Sequence, residues 1–422
     1  MIANKFKDLA ILLLLSYAFG IPPYLSLLLK QNIGMAPLPY TVEISLAFPA
    51  AMILAIAAFK KRLKLPYFIP FLFTELLFLF FESQFFRPGN IPDLTYPYGI
   101  LILYSIFLAL VNYGSRVEDW HKVSAYTNYC VLFLCITMFL GYLGVLNISL
   151  ESSDFSFSHL ASTRPLGNII HTNGLSFACC IAIYLLIFAQ ISGVSSKRKK
   201  IFWFQVILFY SIIIINSSLG GFILVSIGVG AYIINTWKSR RVLANLFIIY
   251  GLLFFLMVAA FPSDLPFLGK FYMYNRIGEE GQFISRFRQI YVTWVNFIHD
   301  PWFGVGYYHA ARNVIAGYTR SNFHYTQILA ANGIFYFAVY IYFFRMMFGF
   351  NLKNLKLFLC MTVGFGALMF YNWGLIFPLA IISYVVYCEK NSREFEPQLE
   401  VTASGHELFT SVTNSHSLVD LQ

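Results

Sequence analysis

The sequence predicts an all-α polytopic membrane protein with about twelve transmembrane helices and one long loop on the outer side of the membrane. Composition is the first indication, because the chain is 59% hydrophobic and only 11% charged, whereas soluble proteins carry about 25% charged residues. Apolar runs such as 9–29 and 242–261 are the second, because roughly 20 apolar residues cross a bilayer. Similar runs recur along the chain and are separated by polar segments, which indicates many spans.

Apolar spans and polar connections alternate along the first 389 residues. The first span has the basic start of a signal peptide, but no small-residue cleavage pattern follows it, so we expect an uncleaved helix. The spans are expected to form one transmembrane domain over 1–389, and the aperiodic, polar segment 390–422 is expected to be a disordered tail. In chain order the predicted spans are 8–29, 41–59, 66–82, 98–113, 124–147, 171–192, 201–216, 221–237, 242–261, 323–347, 357–371 and 374–388.

Lysine and arginine are distributed unequally between the two sides of the predicted bundle. Basic clusters such as KKRLK at 60–64, KRKK at 197–200 and KSRR at 238–241 all fall on one side. The positive-inside rule assigns that side to the cytoplasm. An even number of spans then places both termini, including the tail, in the cytoplasm. The longest connection, at about 262–322, is on the outer side.

Several functional classes fit the sequence poorly. The net charge of +10 is explained by the sidedness of the loops, so it does not indicate a nucleic-acid partner. All six cysteines lie within or beside apolar spans, which indicates neither a disulfide framework nor a thiolate metal site.

No internal repeat is visible, which argues against a transporter built from inverted halves. Glu43 and Glu75 are the acids near or within spans, and hydrogen bonding between helices is the expected role of both.

The long loop holds most of the cations on the outer side. Six of the nine outer lysines and arginines lie in it, against four acids. One interpretation is that long loops escape the charge bias, which applies mainly to short ones. The other is that arginines on this side bind an anionic group at the membrane surface. The loop arginines in question are Arg276, Arg286, Arg288, Arg312 and Arg320.

Residues 286–300 within this loop predict a short amphipathic helix. At 100° per residue, Tyr291, Trp294 and Ile298 share an apolar arc with other large side chains, while Thr293 and Asn296 share a polar one. Arg286 lies at one edge and Arg288 at the opposite edge. Such a helix suits the membrane interface, and it suits ordinary packing against a helical bundle equally well.

The sequence PWFGVG follows the predicted helix at 301–306. Pro301 prevents the helix from continuing. Gly304 and Gly306 permit a tight turn in which the backbone closely approaches a ligand or another segment. Phosphate-binding loops have a different glycine spacing, so the motif does not indicate a nucleotide site.

Several short elements follow one another along roughly 160–350: RPLG at 164–167, Asn173, SSLGG at 217–221, Arg286 before a helix, PWFGVG, and a polar start to the span that contains Gly333. In their order, spacing and sidedness, these elements resemble the O-antigen ligase/polymerase family. Two departures stand out: Leu219 occupies the position of an arginine in the family's serine-glycine turn, and Asn322 occupies the position of the ligase histidine, with His324 two residues later. The second departure favours the polymerase branch.

The resemblance implies a glycosyltransferase of the bacterial inner membrane with its active site on the periplasmic side. Its donor would be an oligosaccharide on undecaprenyl pyrophosphate, and its partners would be membrane lipids and a chain-length regulator protein. No cofactor is expected. The first predicted outer loop, 30–40, has no acid, and no other segment has metal-ligand spacing, so we also expect a metal-independent reaction.

Candidate site residues follow from the chemistry of that donor. Arginines stabilise a pyrophosphate leaving group because they stay charged and bind phosphate oxygens in pairs. Arg164 and Arg286 are the first candidates for that role, and His324 is the candidate general base. Interfacial snorkelling explains each arginine equally well, and a structural role explains a lone histidine. The candidates for substrate binding are Arg288, Gly304, Gly306, Arg312, Arg320 and Asn322.

Three functions remain open at this stage. The leading hypothesis is a polymerase that joins lipid-linked repeat units of O-antigen or a related surface polysaccharide. The second is a ligase that transfers finished polymer from undecaprenyl pyrophosphate to lipid A-core. A transporter or flippase of lipid-linked sugars is more distant, because it predicts buried charges along a central path, and only Glu43 and Glu75 qualify.

Overall fold

The computed structural model describes residues 2–34, 42–85, 95–142, 145–146, 172–192, 199–215, 219–237, 283–305, 324–349, 354–370 and 377–391. All regular secondary structure in these residues is helical. The helices are α1 (Ile2–Ala18), α2 (Ile21–Ile33), α3 (Val42–Phe59), α4 (Phe68–Phe85), α5 (Thr95–Tyr113), α6 (Val117–Tyr142), α7 (Thr172–Ile191), α8 (Lys199–Ile215), α9 (Leu219–Trp237), α10 (Phe283–His299), α11 (His324–Phe348), α12 (Leu355–Phe370) and α13 (379–391).

Most predicted spans coincide with helices, and the first one does not. The predicted span 8–29 is two helices, because the chain turns at Gly20, whose φ is +66°, between α1 and α2. Pro22 and Pro23 then fall in the first turn of α2, where a missing backbone N–H breaks no helical hydrogen bond. The predicted span 242–261 and the predicted tail lie outside the described residues. The count of twelve spans stays a prediction.

Two helices of the described part are long and apolar enough to cross a membrane, at Gly174–Ile191 in α7 and Tyr325–Phe348 in α11. Two such helices alone are weak evidence, because core helices of soluble proteins pass the same test. Shorter apolar stretches occur in α3, α4, α5, α8, α9 and α12. The described helices are thus consistent with a membrane protein.

α7 lies at the centre of the second half of the bundle and contacts α6, α8, α9 and α12. Its Tyr184 is fully buried, and its hydroxyl donates a 2.8 Å hydrogen bond to the backbone carbonyl of Leu224 in α9. Gly228 lies one turn further along α9, where a Cβ would be 2.7 Å from the Tyr184 ring. Glycine therefore lets the large aromatic ring fit between the two helices, and the partner of the buried hydroxyl offsets its desolvation.

An ionic cluster closes the end of the bundle that the charge pattern assigns to the cytoplasm. Lys356 at the start of α12 pairs with Glu389 in α13 at 3.0 Å. The ring of His121 in α6 packs 3.8 Å from that of its neighbour Trp120. Burial lowers the pKa of His121, and the nearby Glu389 partly opposes this shift. The pair of Lys356 and Glu389 joins α12 to α13, and the charge of Glu389 acts on His121 in α6.

α11 is two helical arms joined at Gly333, whose φ is +72° and ψ −177°. The rings of Tyr325 in the first arm and Phe337 in the second are 6.1 Å apart. Twelve residues of straight helix span about 18 Å, too far for those rings to meet. α11 therefore bends sharply at Gly333, and the predicted span 323–347 consists of two helical arms.

Candidate functional site

The turn after α10 and the bend in α11 interlock through two glycines. A Cβ on Gly304 would lie 2.4 Å from the backbone carbonyl of Ala331 and 2.5 Å from the nitrogen of Asn332. A Cβ on Gly333 would lie 2.3 Å from the carbonyl oxygen of Trp302. Both glycines have positive φ, +77° and +72°. Only glycine tolerates this conformation and this closeness at both positions.

Two backbone hydrogen bonds hold this interlock, which comprises residues 300–305 and 330–334. The amide of Val305 donates to the carbonyl of Ala330 at 3.0 Å, and the amide of Ile334 donates to the carbonyl of Pro301 at 3.0 Å. Within the turn, the amide of Gly304 donates to the carbonyl of Asp300, also at 3.0 Å. The bend in α11 frees backbone groups, and the turn after α10 supplies their partners.

α10 packs against α11 with a side that contains buried polar residues and Phe297, from the edge of its apolar arc. Thr293 and Asn296 are buried together with Val292, and Phe297 packs against Ala330 and Ala331 of α11. The hydroxyl of Thr293 donates to the carbonyl of Ile290 in its own helix at 2.8 Å, which satisfies it without a partner from another helix. The polar arc expected from the sequence therefore faces the protein.

The middle of the apolar arc of the same helix faces outward. Tyr291, Trp294 and Ile298 are exposed, and so is Trp302 in the turn. The Trp302 ring stacks on that of Phe335 in the second arm of α11, with centroids 5.5 Å apart. The outward side of the interlock is therefore a continuous apolar surface that runs from α10 to α11.

Asn332 is the residue immediately before the bend. Its side chain is 2% exposed, and its amide oxygen has no hydrogen-bond partner among the residues that the structure describes. Its backbone nitrogen is one of the atoms that contact Gly304. This asparagine is a buried polar group at the junction of the two helices.

The first residue of α11 is His324, and its neighbour Tyr325 anchors the start of that helix. The Tyr325 hydroxyl donates a 2.9 Å hydrogen bond to the backbone carbonyl of Phe365 in α12. The bend at Gly333 brings this end of the first arm back towards α12. The backbone near His324 is thus attached to the bundle at two points. Tyr325 anchors it to α12, and the interlock holds the same arm eight residues later.

The structure places four of the nine candidate site residues. Arg286 and Arg288 lie in the first half of α10, His324 begins α11, and Gly304 lies in the interlock. Gly304 contacts the backbone of α11, which is a structural role; its predicted part in substrate binding stays a prediction. The candidates outside the described residues are Arg164, Gly306, Arg312, Arg320 and Asn322.

The residues that the structure describes contain no cluster of three or more histidine, cysteine, aspartate or glutamate side chains that could hold a metal ion. The described cysteines, which are all six, are free and buried. Metal independence remains a prediction, because most of the long loop lies outside these residues.

Sequence reasoning located the turn and the helix but missed how they join. The glycine of the turn and the glycine of the following span were both visible as motif residues. An isolated glycine inside a helical pattern is unfavourable relative to alanine and weakens the prediction of a continuous helix. Applied to Gly333, that rule would have counted against one unbroken span. Nothing in the sequence pairs Gly333 with Gly304, which lies 29 residues earlier.

Comparison with known protein families finds one match that bears on this region: residues 203–341 match the family described as O-antigen ligase. The matched range includes α10, the interlock and the start of α11. Comparison with curated proteins finds no match. This match confirms the resemblance to the O-antigen ligase/polymerase family over residues 203–341.

Proposed function

We propose that this protein is a polysaccharide polymerase that joins repeat units carried on undecaprenyl pyrophosphate at the periplasmic face of the inner membrane. The observation that carries the proposal is the family match over 203–341, which spans α10 and the first arm of α11. Glycosyl transfer from a lipid-linked polysaccharide is the activity that this family implies. The polymerase branch is our finer choice, because Asn322 stands where the ligases have their histidine.

The proposed reaction is one substitution at a sugar carbon. The hydroxyl oxygen of the acceptor sugar attacks the anomeric carbon of the donor, whose bond to the pyrophosphate oxygen breaks. Undecaprenyl pyrophosphate leaves with the bonding electrons, and the acceptor proton passes to a base. The energy comes from the cleaved bond between the donor sugar and the pyrophosphate, so no nucleotide is needed outside the cytoplasm.

In this proposal Arg164 and Arg286 stabilise the charge that develops on the leaving oxygen. One well-placed donor of this kind contributes on the order of 3–4 kcal/mol to lowering the barrier. His324 accepts the proton, a role that contributes roughly a hundred- to ten-thousand-fold in rate. Arg288, Arg312 and Arg320 bind further anionic or polar groups of the substrate.

The interlock supports this assignment because it connects the helices of two proposed catalytic residues. α10, which carries Arg286, and the first arm of α11, which begins at His324, both reach the interlock at their C-terminal ends. Tyr325 ties the other end of that arm to α12. Catalytic groups need fixed backbones, since small displacements cost large factors in rate.

The ligase remains the second candidate, and the description of the matched family favours it. Polymerase and ligase share the donor and the leaving group and differ in the acceptor. A polymerase extends a lipid-linked chain and is expected to work with a chain-length regulator protein. A ligase transfers the finished chain to lipid A-core.

A gel of lipopolysaccharide from a deletion strain tests the proposal. The strain is complemented with the wild-type protein, with Arg286→Ala or with His324→Ala, and Arg62→Ala serves as the control, because Arg62 is exposed at the opposite predicted side. A polymerase yields core with a single repeat in the deletion strain and a ladder only with active protein. Bare core with polymer retained on the lipid carrier identifies a ligase instead.

Two results would overturn the assignment. An unchanged ladder in the deletion strain would exclude both activities for that polymer. Normal ladders from Arg164→Ala and Arg286→Ala, together with a failure caused by Glu75→Gln, would favour a transporter.

A further inference from the structure

α10 has the reverse of the polarity that a helix on a water-soluble protein shows. A surface helix in water turns its apolar stripe to the core and its polar side to the solvent. In α10 the buried side carries two polar residues, Thr293 and Asn296, beside Val292, whereas the outward side carries Tyr291, Trp294 and Ile298. The surroundings of the outward side are therefore apolar or interfacial.

The outward residues form one coherent surface, which we call the aromatic face: Tyr291, Trp294, Ile298 and Trp302. Their side chains are 60%, 51%, 60% and 57% exposed, respectively. The three helical members are spaced by three and four residues, so they lie along one stripe of α10. Tryptophan and tyrosine are the residues enriched where hydrocarbon meets headgroups, because each has an apolar body and a polar tip.

The orientation of this face is fixed by the fold. The interlock joins the end of α10 to α11 through two backbone hydrogen bonds, from Val305 and Ile334. Rotating the helix to bury the aromatic face would expose Thr293 and Asn296 and strain that junction. The outward position of the aromatic face is thus a property of the backbone and not of a few side-chain rotamers.

The aromatic face is continuous with a candidate membrane span. Trp302 stacks on Phe335, which is exposed beside Ile334 at the start of the second arm of α11. That arm forms the larger part of the apolar stretch Tyr325–Phe348, which is a candidate span by length and composition. The apolar surroundings of α11 therefore extend to the aromatic face without a polar break at this contact.

We propose that α10 is a membrane-interface helix, whose aromatic face is seated in the headgroup boundary of the bilayer. The occupant is the lipid surface itself. Amphipathic helices in this position bury their apolar side about 5–10 Å below the headgroups. One consequence rests on the proposed function. The interfacial position of α10 holds the helix of Arg286 at the depth of the pyrophosphate of a lipid-linked donor.

The buried native cysteines allow a direct test. All six are buried, so a cysteine introduced at an exposed position is the one that a polarity-sensitive fluorophore labels. The labelled variants are Tyr291→Cys and Ile298→Cys on the aromatic face. The matched control is His299→Cys, which is exposed on the same helix but lies about 100° from Ile298. Each protein is reconstituted in vesicles of phosphatidylethanolamine and phosphatidylglycerol.

Two quenchers report the surroundings of each label. We expect nitroxide lipids labelled near the headgroup to quench the probes at 291 and 298 several-fold more than the probe at 299. We expect iodide in the aqueous phase to give the opposite order. Labelling of the unsubstituted protein measures the background, and gel filtration confirms that each variant is folded.

Two outcomes would overturn the proposal. Equal iodide quenching at 291, 298 and 299 would place the aromatic face in water. Protection of 291 and 298 from both quenchers would mean that protein covers the face, either a second copy of the chain or another segment of it. Neither readout depends on catalysis, so failure of the proposed function and failure of this inference are separable.

Discussion

Gly304 and Gly333 each lie against the backbone next to the other glycine, at a position that has no room for a side chain. The carbonyl of Ala331 occupies the space of a Cβ on Gly304, and the carbonyl of Trp302 occupies that of a Cβ on Gly333. Two segments far apart in the chain thereby reach direct backbone contact. This contact sets how α10 lies on α11, and with it the placement of the proposed catalytic helices.

Alanine at either glycine of the interlock is expected to destabilise the protein. A left-handed backbone costs a residue with a Cβ about 1–2 kcal/mol before any clash, and each new Cβ would overlap backbone atoms at 2.3–2.5 Å. Thermal unfolding in detergent should show lower midpoints for Gly304→Ala and Gly333→Ala. The control is Gly230→Ala in α9, where a Cβ meets nothing within 4 Å. Equal midpoints for all three variants would contradict the interlock.

Removing the Tyr325 hydroxyl should loosen the start of α11. The hydroxyl donates to the carbonyl of Phe365 at 2.9 Å in a largely buried site, and the loss of such a bond costs about 1 kcal/mol. Tyr325→Phe should lower the unfolding midpoint and, if His324 is the base, reduce turnover. Tyr342→Phe is the matched control, because Tyr342 is exposed on the same helix. A Tyr325→Phe protein identical to wild type in both measurements would argue against the anchor.

The ion pair between Lys356 and Glu389 should contribute measurably to stability. Its side chains are 20% and 9% exposed, respectively, so Glu389→Gln leaves a mostly buried ammonium without its carboxylate. We expect a loss of about 3 kcal/mol, the low end for a broken buried pair. The double variant Lys356→Met/Glu389→Gln should recover part of that loss. If the stability losses of the single variants simply add up in the double variant, the two residues are not coupled. Lys122→Met gives the baseline for the loss of an exposed lysine.

His121 should make stability depend on pH. Burial lowers its pKa in the folded protein below the ordinary value of 6.5. As the pH falls below about 6.5, the unfolded chain takes up this proton before the folded protein does, so stability decreases with falling pH. The stability of wild type should therefore fall more than that of His121→Gln between about pH 7.5 and pH 5.5. Parallel pH profiles for the two proteins would refute this contribution.

The sequence was sufficient for much of the helical architecture. Long apolar runs have strong signals, and α3, α4, α7 and α9 begin and end within a few residues of the predicted spans. The break at Gly20 and the bend at Gly333 were missed, because both lie inside apolar runs where hydropathy stays high. Hydropathy measures transfer to lipid, and it does not report a positive φ.

The candidate site was less predictable than the fold. The periodicity of α10 separated its polar and apolar arcs, but it could not tell which arc meets the protein, because a membrane reverses the usual preference. The reciprocal contact of Gly304 and Gly333 is a tertiary relationship between two short segments. A single sequence contains no signal that pairs them.

Release of undecaprenyl pyrophosphate by the purified protein tests the central claim most directly. Wild type, Arg286→Ala and Arg62→Ala are reconstituted in vesicles with lipid-linked repeat units, and the unfolding midpoint of each is measured in parallel. We expect Arg286→Ala to fold normally and to release the carrier about a hundredfold more slowly, as for the loss of one transition-state donor, with Arg62→Ala unaffected. Equal release by Arg286→Ala and wild type would contradict the placement of the active site on α10.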